Sequence, residues 1–169
     1  DVIVWNDFLF IGTCFSEDYR SFKTARTHEY AIEIQKEYFP KKRIIDLELK
    51  KNDTDAYQGI LHLDCTFNPV GKDKCIIYKD GCVDESDYRL LIDIFGEENC
   101  FHVTQQEMFE MYPNVFSISE DIIVSDSAFT RLNNHLRNEW GMTVEEVPYR
   151  EISKMGGLLR CSTLPLARD

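Results

Sequence analysis

Apolar positions along the chain fall into an order that repeats. Two short runs joined by a tight turn are followed by a stretch of helical period and then by another short run. In the first round, residues 1–5 and 8–12 read as strands around the turn pair Asn6-Asp7. A polar loop runs from Ser16 to Lys23, and a helix is predicted over 27–39, with Tyr30, Ile34 and Tyr38 on one apolar face and Pro40 as its stop. Residues 43–49 return as a strand, and 50–58 form a polar loop. The second round predicts a strand over 60–70, a turn at Gly71 and a strand over 75–78. Its helix is capped by Ser86, presents Tyr88, Leu91 and Phe95, and ends at Gly96. A strand over 100–103 and a short helix over 105–111 come next. The third round predicts strands over 114–118 and 122–125 around Glu120-Asp121, then a helix over 128–140 with Phe129, Leu132 and Leu136 inward. Residues 143–147 return, and 158–164 would open a fourth round.

Tight hairpins alternating with helical crossovers imply an α/β protein with mixed sheets. Units that cannot bury a core alone are expected to stack or to ring an axis; an ordinary α/β sandwich without symmetry is the alternative. Asp1, His62 with Asp64, Asn114 and Cys161 each fall at the first strand of successive units. Units related by rotation would bring these polar residues to one place.

Composition narrows the classes of function. At 169 residues, one domain is the default, and 43% hydrophobic residues exclude a disordered chain. A net charge of −11 argues against nucleic acid and anionic membrane partners. Six cysteines without CxxC spacing lie mostly in apolar runs, as reduced core residues of a cytoplasmic protein would, and offer no zinc cluster. No apolar run reaches the length of a membrane span, and no signal peptide is visible. The chain opens directly into a predicted strand at Asp1, which reads as a start inside a domain.

Two stretches carry chemistry. Near one end, Gly156-Gly157-Leu158-Leu159-Arg160-Cys161 places a thiol four residues after a glycine pair that tolerates unusual backbone angles. Arg160 is expected to favour the thiolate, the nucleophilic form, although a lone cysteine is also a common small core residue. Upstream, His62 and Asp64 are two apart on a predicted strand and so share a face. They read as an acid/base pair or as a satisfied structural histidine. His28, His102 and His135 are isolated, Cys65 reads as core, and Glu17, Asp18 and the acidic residues 84–87 read as solvated charge.

His62-Leu63-Asp64 together with Gly156-Gly157-Leu-Leu-Arg160-Cys161-Ser-Thr163-Leu-Pro165-Leu resembles the guanidine-modifying superfamily of arginine deiminases, dimethylarginine hydrolases, agmatine deiminases and glycine amidinotransferases. The opening Asp1-Val-Ile-Val-Trp5 resembles the end of that family's Glu-Gly-Gly-Asp motif and the strand beyond it, with Asp1 as the motif's last residue, and Asn114-Val115-Phe116 matches another recurring position. The resemblance implies a pentein fold, a five-bladed α/β propeller of ββαβ units. About three blades would be present over 1–169 as a C-terminal portion, the N-terminal blades being missing. It further implies Cys161 as nucleophile on a guanidino or ureido carbon and His62 as acid/base. Asp64 and Asp1 would hold the substrate's N–H groups, Asn114 and Arg160 would assist in binding, and Arg26 would take the substrate's carboxylate.

Arg26-Thr27 resembles the family's Arg-Thr-Asn segment with His28 in place of Asn; the local alternative is that Thr27 caps the helix while Arg26 is solvated. No metal or organic cofactor is implied. The expected partners are a small arginine-like substrate and the missing half of the propeller, with a homo-oligomer compatible. The leading function is a hydrolase cleaving an arginine-like C–N bond. Amidino transfer to an amine, citrulline hydrolysis and a non-catalytic binding scaffold are the alternatives.

Overall fold

The computed structural model describes residues 1–15 and 17–164. Ser16 at the start of the first polar loop, and Pro165 and Leu166 at the end of the cysteine motif, lie outside the described residues, as do the side chains of Glu17 and Asp18. The first unit is built from β1 (Val2–Trp5), β2 (Phe8–Thr13), α1 (Tyr30–Tyr38) and β3 (Arg43–Glu48). Asn6 takes φ 49° in the β1–β2 turn, a left-handed angle that asparagine tolerates better than most residues. β2 pairs antiparallel with β1 and parallel with β3, Phe8 facing Trp5 on one side and Arg43 on the other.

The same order recurs twice. The second unit comprises β4 (Phe67–Val70), β5 (Lys74–Ile77), α2 (Glu85–Phe95) and β6 (Cys100–His102), and is followed by the short helix α3 (Gln105–Phe109). The third comprises β7 (Phe116–Ser117), β8 (Ile122–Asp126), α4 (Thr130–Asn138) and β9 (Thr143–Val147), and is followed by α5 (Arg150–Ser153). In every sheet the middle strand joins an antiparallel hairpin to a parallel return, so the three three-stranded sheets share one topology. A parallel return needs a crossover, and α1, α2 and α4 supply it.

One continuous core runs through all three sheets, from Ile3, Phe10 and Leu47 through Phe67, Ile76 and Phe101 to Ile123, Leu132 and Val144. Phe10 meets Phe67 edge-on with ring centroids 5.0 Å apart, and Trp5 meets Phe95 at 4.5 Å. These contacts lock the first unit onto the second.

Four local expectations are corrected. The stripe Tyr30, Ile34 and Tyr38 exists but faces outward, with exposures of 72%, 52% and 75%. α1 packs through Ile32, some 200° around the helix, onto Leu9, Ile11 and Ile44; periodicity marks an apolar face without locating the core. α2 is capped by Asp84, whose side chain accepts from the Ser86 N–H, so this acidic residue is structural and not merely solvated. The strand expected over 60–70 survives only as β4. Leu63–Cys65 instead forms a 3-10 turn, because the Leu63 N–H is taken by the Asp1 carboxylate at 3.3 Å.

The fourth correction concerns the predicted strand over 158–164, which folds as successive turns. The Ser162 N–H donates to the Leu158 carbonyl at 3.1 Å, and the Ser162 and Thr163 hydroxyls donate to the carbonyls four residues back. Such back-bonding offers the chain an alternative to a ladder.

Candidate active site

Of the polar residues singled out at the units' starts, Asp1, His62, Asp64 and Cys161 arrive at one cavity, while Asn114 stays in the core behind it. The cavity has a volume of about 340 Å³ and is lined by Asp1, Arg26, His62, Asp64 and Cys161 over an apolar floor of Ile3 and Leu63. A larger cavity of about 580 Å³ lies behind the 3-10 turn, reached by Leu61 and Cys65 and walled by Met108, Phe109 and Met111. It holds neither the exposed thiol nor the histidine.

The loop bearing Cys161 is fixed from both sides. Gly156 and Gly157 take φ 79° and 113°, angles that favour glycine, and a Cβ at Gly157 would stand 3.1 Å from the Cys161 Cβ. Leu158 and Leu159 are buried and anchor the turn in the core. Asn114, fully buried, does the rest. Its Oδ1 accepts from the N–H groups of Leu158 (3.2 Å) and Cys161 (3.3 Å), while its Nδ2 donates to the Asp64 carbonyl (3.4 Å) and the Cys161 Sγ (3.2 Å). A side chain so committed serves the cysteine loop and leaves no group free for the cavity.

Cys161 Sγ donates to Asp64 Oδ2 at 3.6 Å, and one ligand-type atom each from His62, Asp64 and Cys161 lie within 4.8 Å of one another. This nitrogen, oxygen and sulfur set has the donor types of a site for a soft divalent cation. It equally has the reach of a nucleophile, a base and a charge partner. Burial first, then the Asp64 charge, pushes the Cys161 thiol up, against opposing hydrogen bonds from the Leu158 backbone and Asn114. Burial pulls the His62 imidazole down, with Asp64 opposing. The resting pair is thus a neutral thiol beside a neutral imidazole.

The expectation that Arg160 lowers the thiol is not met. Its Nη1 donates to Asn68 Oδ1 at 3.2 Å, and its Nε lies 3.8 Å from Asp64 Oδ2, so the guanidinium serves the carboxylate. Asp64 Oδ1 is buried and has no hydrogen-bond partner among the described residues. Such an oxygen is costly to leave unpaired, and a bound N–H donor would relieve it. Asp1 supports the 3-10 turn and lines the cavity. Arg26 lines the cavity too, its guanidinium held by the carbonyls of Lys23 (2.8 Å) and Ala25 (3.3 Å).

Three residues escaped the sequence reading. Asn68, buried in β4, donates to the carbonyls of Pro113 (2.7 Å) and Val115 (3.0 Å) and so ties the second unit to the third beneath Arg160. A polar residue inside an apolar strand was its visible signal. Lys51 and Asp53 lay in a stretch with the composition of a plain polar loop. Yet Lys51 is half-buried, its amine pulled down to about 8 by burial, and Asp53 binds the backbone of Lys23 and Thr24.

Known proteins share this arrangement of units. The model of the family described as N,N dimethylarginine dimethylhydrolase, eukaryotic, matches residues 19–168. The uncharacterized protein YkgA of Bacillus subtilis (strain 168) is 28% identical over 169 residues, covering 99% of this chain and 51% of that protein. Among solved structures, the product-bound N-terminal domain of ArgZ, an arginine dihydrolase from the ornithine–ammonia cycle in cyanobacteria, superposes with a TM-score of 0.74. It is 22% identical over 94% of this chain and 50% of that one. SxtG, an amidinotransferase of Microseira wollei from the saxitoxin biosynthetic pathway, superposes with a TM-score of 0.75 at 15% identity, over 99% of this chain and 46% of that one. The chain spans about half the length of these relatives. Three mixed sheets of one topology and this coverage mark the pentein fold. With 150 residues matched, the chain belongs to the family of eukaryotic N,N dimethylarginine dimethylhydrolases, within the guanidine-modifying superfamily.

Proposed function

We propose that the cavity is the active site of a hydrolase that cleaves a C–N bond of an arginine-like guanidinium through a covalent bond to Cys161. The observation that carries this reading is the set of Cys161, His62 and Asp64 atoms within 4.8 Å of one another, in a cavity that Arg26 also lines. A guanidinium is cationic and a poor electrophile, so it needs carboxylates to bind it and a thiolate to attack it. The unpaired Asp64 Oδ1 accepts a substrate N–H, and Asp1, which lines the same cavity, does the same. Burial, and then the Asp64 charge, hold the thiol up. A cation seated against Asp64 offsets that charge and favours the thiolate, so the nucleophile ionises when substrate is present.

The thiol proton passes to His62, and the thiolate forms an S–C bond to the guanidinium carbon. The C–N bond to the departing amine breaks, and that amine leaves with the proton from His62. His62 then takes a proton from water, whose oxygen bonds to the same carbon. The C–S bond breaks, returning the thiol and releasing a ureido product. Arg26 pairs with the substrate's carboxylate. Arg160 orients Asp64. In this reading the three units are blades of a five-bladed propeller, completed by the part of the relatives this chain does not span. The buried thiols suit a reducing, cytoplasmic setting.

The test uses the full-length protein with arginine, dimethylarginine, agmatine and citrulline, beside Cys161→Ala, with and without an amine acceptor. Amine and ureido product from one guanidino substrate, lost in Cys161→Ala, is the expected result. The rate should rise with pH as the thiol ionises. An amidino group delivered to the acceptor would instead identify a transferase, and turnover surviving Cys161→Ala would overturn covalent catalysis.

A further inference from the structure

Two loops meet behind the cavity at the polar segment between β3 and the 3-10 turn. Lys51 Nζ donates to the carbonyls of both Ile60 and Leu61 at 2.9 Å, the two residues that lead into His62. The Ile60 N–H in turn donates to the Lys50 carbonyl at 2.8 Å, so the 50–60 loop closes on the lysine. Two residues on, the Asp53 carboxylate accepts from the Lys23 N–H (2.5 Å), the Thr24 N–H (3.0 Å) and the Thr24 hydroxyl (2.7 Å). The carbonyl of that same Lys23 holds the Arg26 guanidinium.

We infer that Lys51 and Asp53 form a two-armed bracket that positions the active site, Lys51 setting His62 through the Ile60 and Leu61 carbonyls and Asp53 setting Arg26 through the Lys23–Thr24 backbone. The inference rests on the hydrolase reading for the roles of His62 and Arg26, and neither bracket residue touches substrate. The two arms act on different steps. Lys51 governs the group that moves protons, and Asp53 governs the group that recognises the substrate's far end. A half-buried lysine with a lowered pKa is a costly way to close a loop. A surface loop needing closure alone would manage with backbone hydrogen bonds, as 50–60 already does at Lys50. The charges acting on His62 are those of Asp64, the Asp1 amino group, Arg26 and Lys51, so the lysine also supplies part of its electrostatic setting.

The experiment compares Lys51→Met, Lys51→Arg and Asp53→Ala in the full-length protein. Lys51→Met should lower kcat by about 10- to 100-fold with KM nearly unchanged, the scale of a misplaced catalytic group, and Lys51→Arg should restore most of it. Asp53→Ala should raise KM for arginine by roughly tenfold, as expected when a charged contact loosens. It should leave agmatine, which lacks the carboxylate, unaffected. The His62 ring is followed in parallel by its imidazole NMR titration. Losing the lysine charge should move its midpoint up, and Lys51→Arg should return it. That readout needs no turnover, so an inactive native protein would sink the hydrolase reading while the titration still decides the Lys51 arm. Likewise, protection of Arg26 from a guanidine-specific reagent decides the Asp53 arm. If Lys51→Met does not fold, Lys51→Gln keeps a donor and removes the charge, and the same upward shift is required. An unmoved His62 midpoint, or an equal loss on arginine and agmatine in Asp53→Ala, would overturn the bracket.

Discussion

Replacing Asn114 by alanine isolates what holds the cysteine loop. The change removes an acceptor from two N–H groups, those of Leu158 and Cys161, and a donor from the Cys161 Sγ and the Asp64 carbonyl. Leu158 is fully buried, so water cannot replace its partner. Leaving such a donor unsatisfied costs about 1–3 kcal/mol, and losing the more accessible Cys161 contact costs about 0.5–1.5 kcal/mol more. The net loss is roughly 2–4 kcal/mol, which chemical denaturation should report as a lower midpoint at unchanged slope. The second effect is chemical. The Asn114 Nδ2–H opposes the upward shift of the thiol, so its removal lets the thiol rise further. Iodoacetamide alkylation of Cys161 at a fixed neutral pH should then slow by about tenfold, the worth of one hydrogen bond to a charged group. Its pH profile should move to higher pH. Asn114→Asp should keep the acceptors yet move the profile the same way, since a second carboxylate disfavours the thiolate. Unchanged stability together with an unchanged alkylation profile in Asn114→Ala would refute the reasoning.

Two other substitutions probe the same frame. Gly157→Ala places a methyl 3.1 Å from the Cys161 Cβ at φ 113° and should abolish turnover while costing about 1–3 kcal/mol of stability, measured by denaturant melts; a fully active variant would contradict the close approach. Glu107, although burial raises it, is held below its ordinary value by hydrogen bonds from Arg131 and the Thr104 N–H at the start of α3. A carboxylate depressed in this way contributes stability above its unfolded pKa and loses it as pH falls through the folded one. Glu107→Gln should therefore destabilise the protein at pH 7 and converge with the native protein in acid, and a pH-independent difference would show the capping charge to be inert.

The repeating order of strands and crossovers was legible because it is written in local signals. Asn6-Asp7 turns β1 into β2, Gly96 at φ 83° ends α2, and Phe129, Leu132 and Leu136 face inward as their spacing indicates. The meeting of Asp1, His62, Asp64 and Cys161 could be anticipated from their matching places in successive units. The features that stayed hidden depend on partners distant in sequence. Nothing near Leu63 says that the Asp1 carboxylate will claim its N–H and bend a strand into a turn. Nothing near Cys161 says that Asn114 will draw its loop out of a ladder. Arg160 reads as the thiol's neighbour along the chain, yet Asn68 and Asp64 turn it aside.

The Cys161–Asp64 contact joins residues 97 apart in sequence, and Asp1 reaches Leu63 across 62. Such closures are entropically slow and reward the chain only after the intervening units have docked. The setting of Cys161 is therefore among the last things this molecule acquires as it folds and among the first it loses under stress. A nascent or damaged copy would carry the Cys161 thiol without that setting.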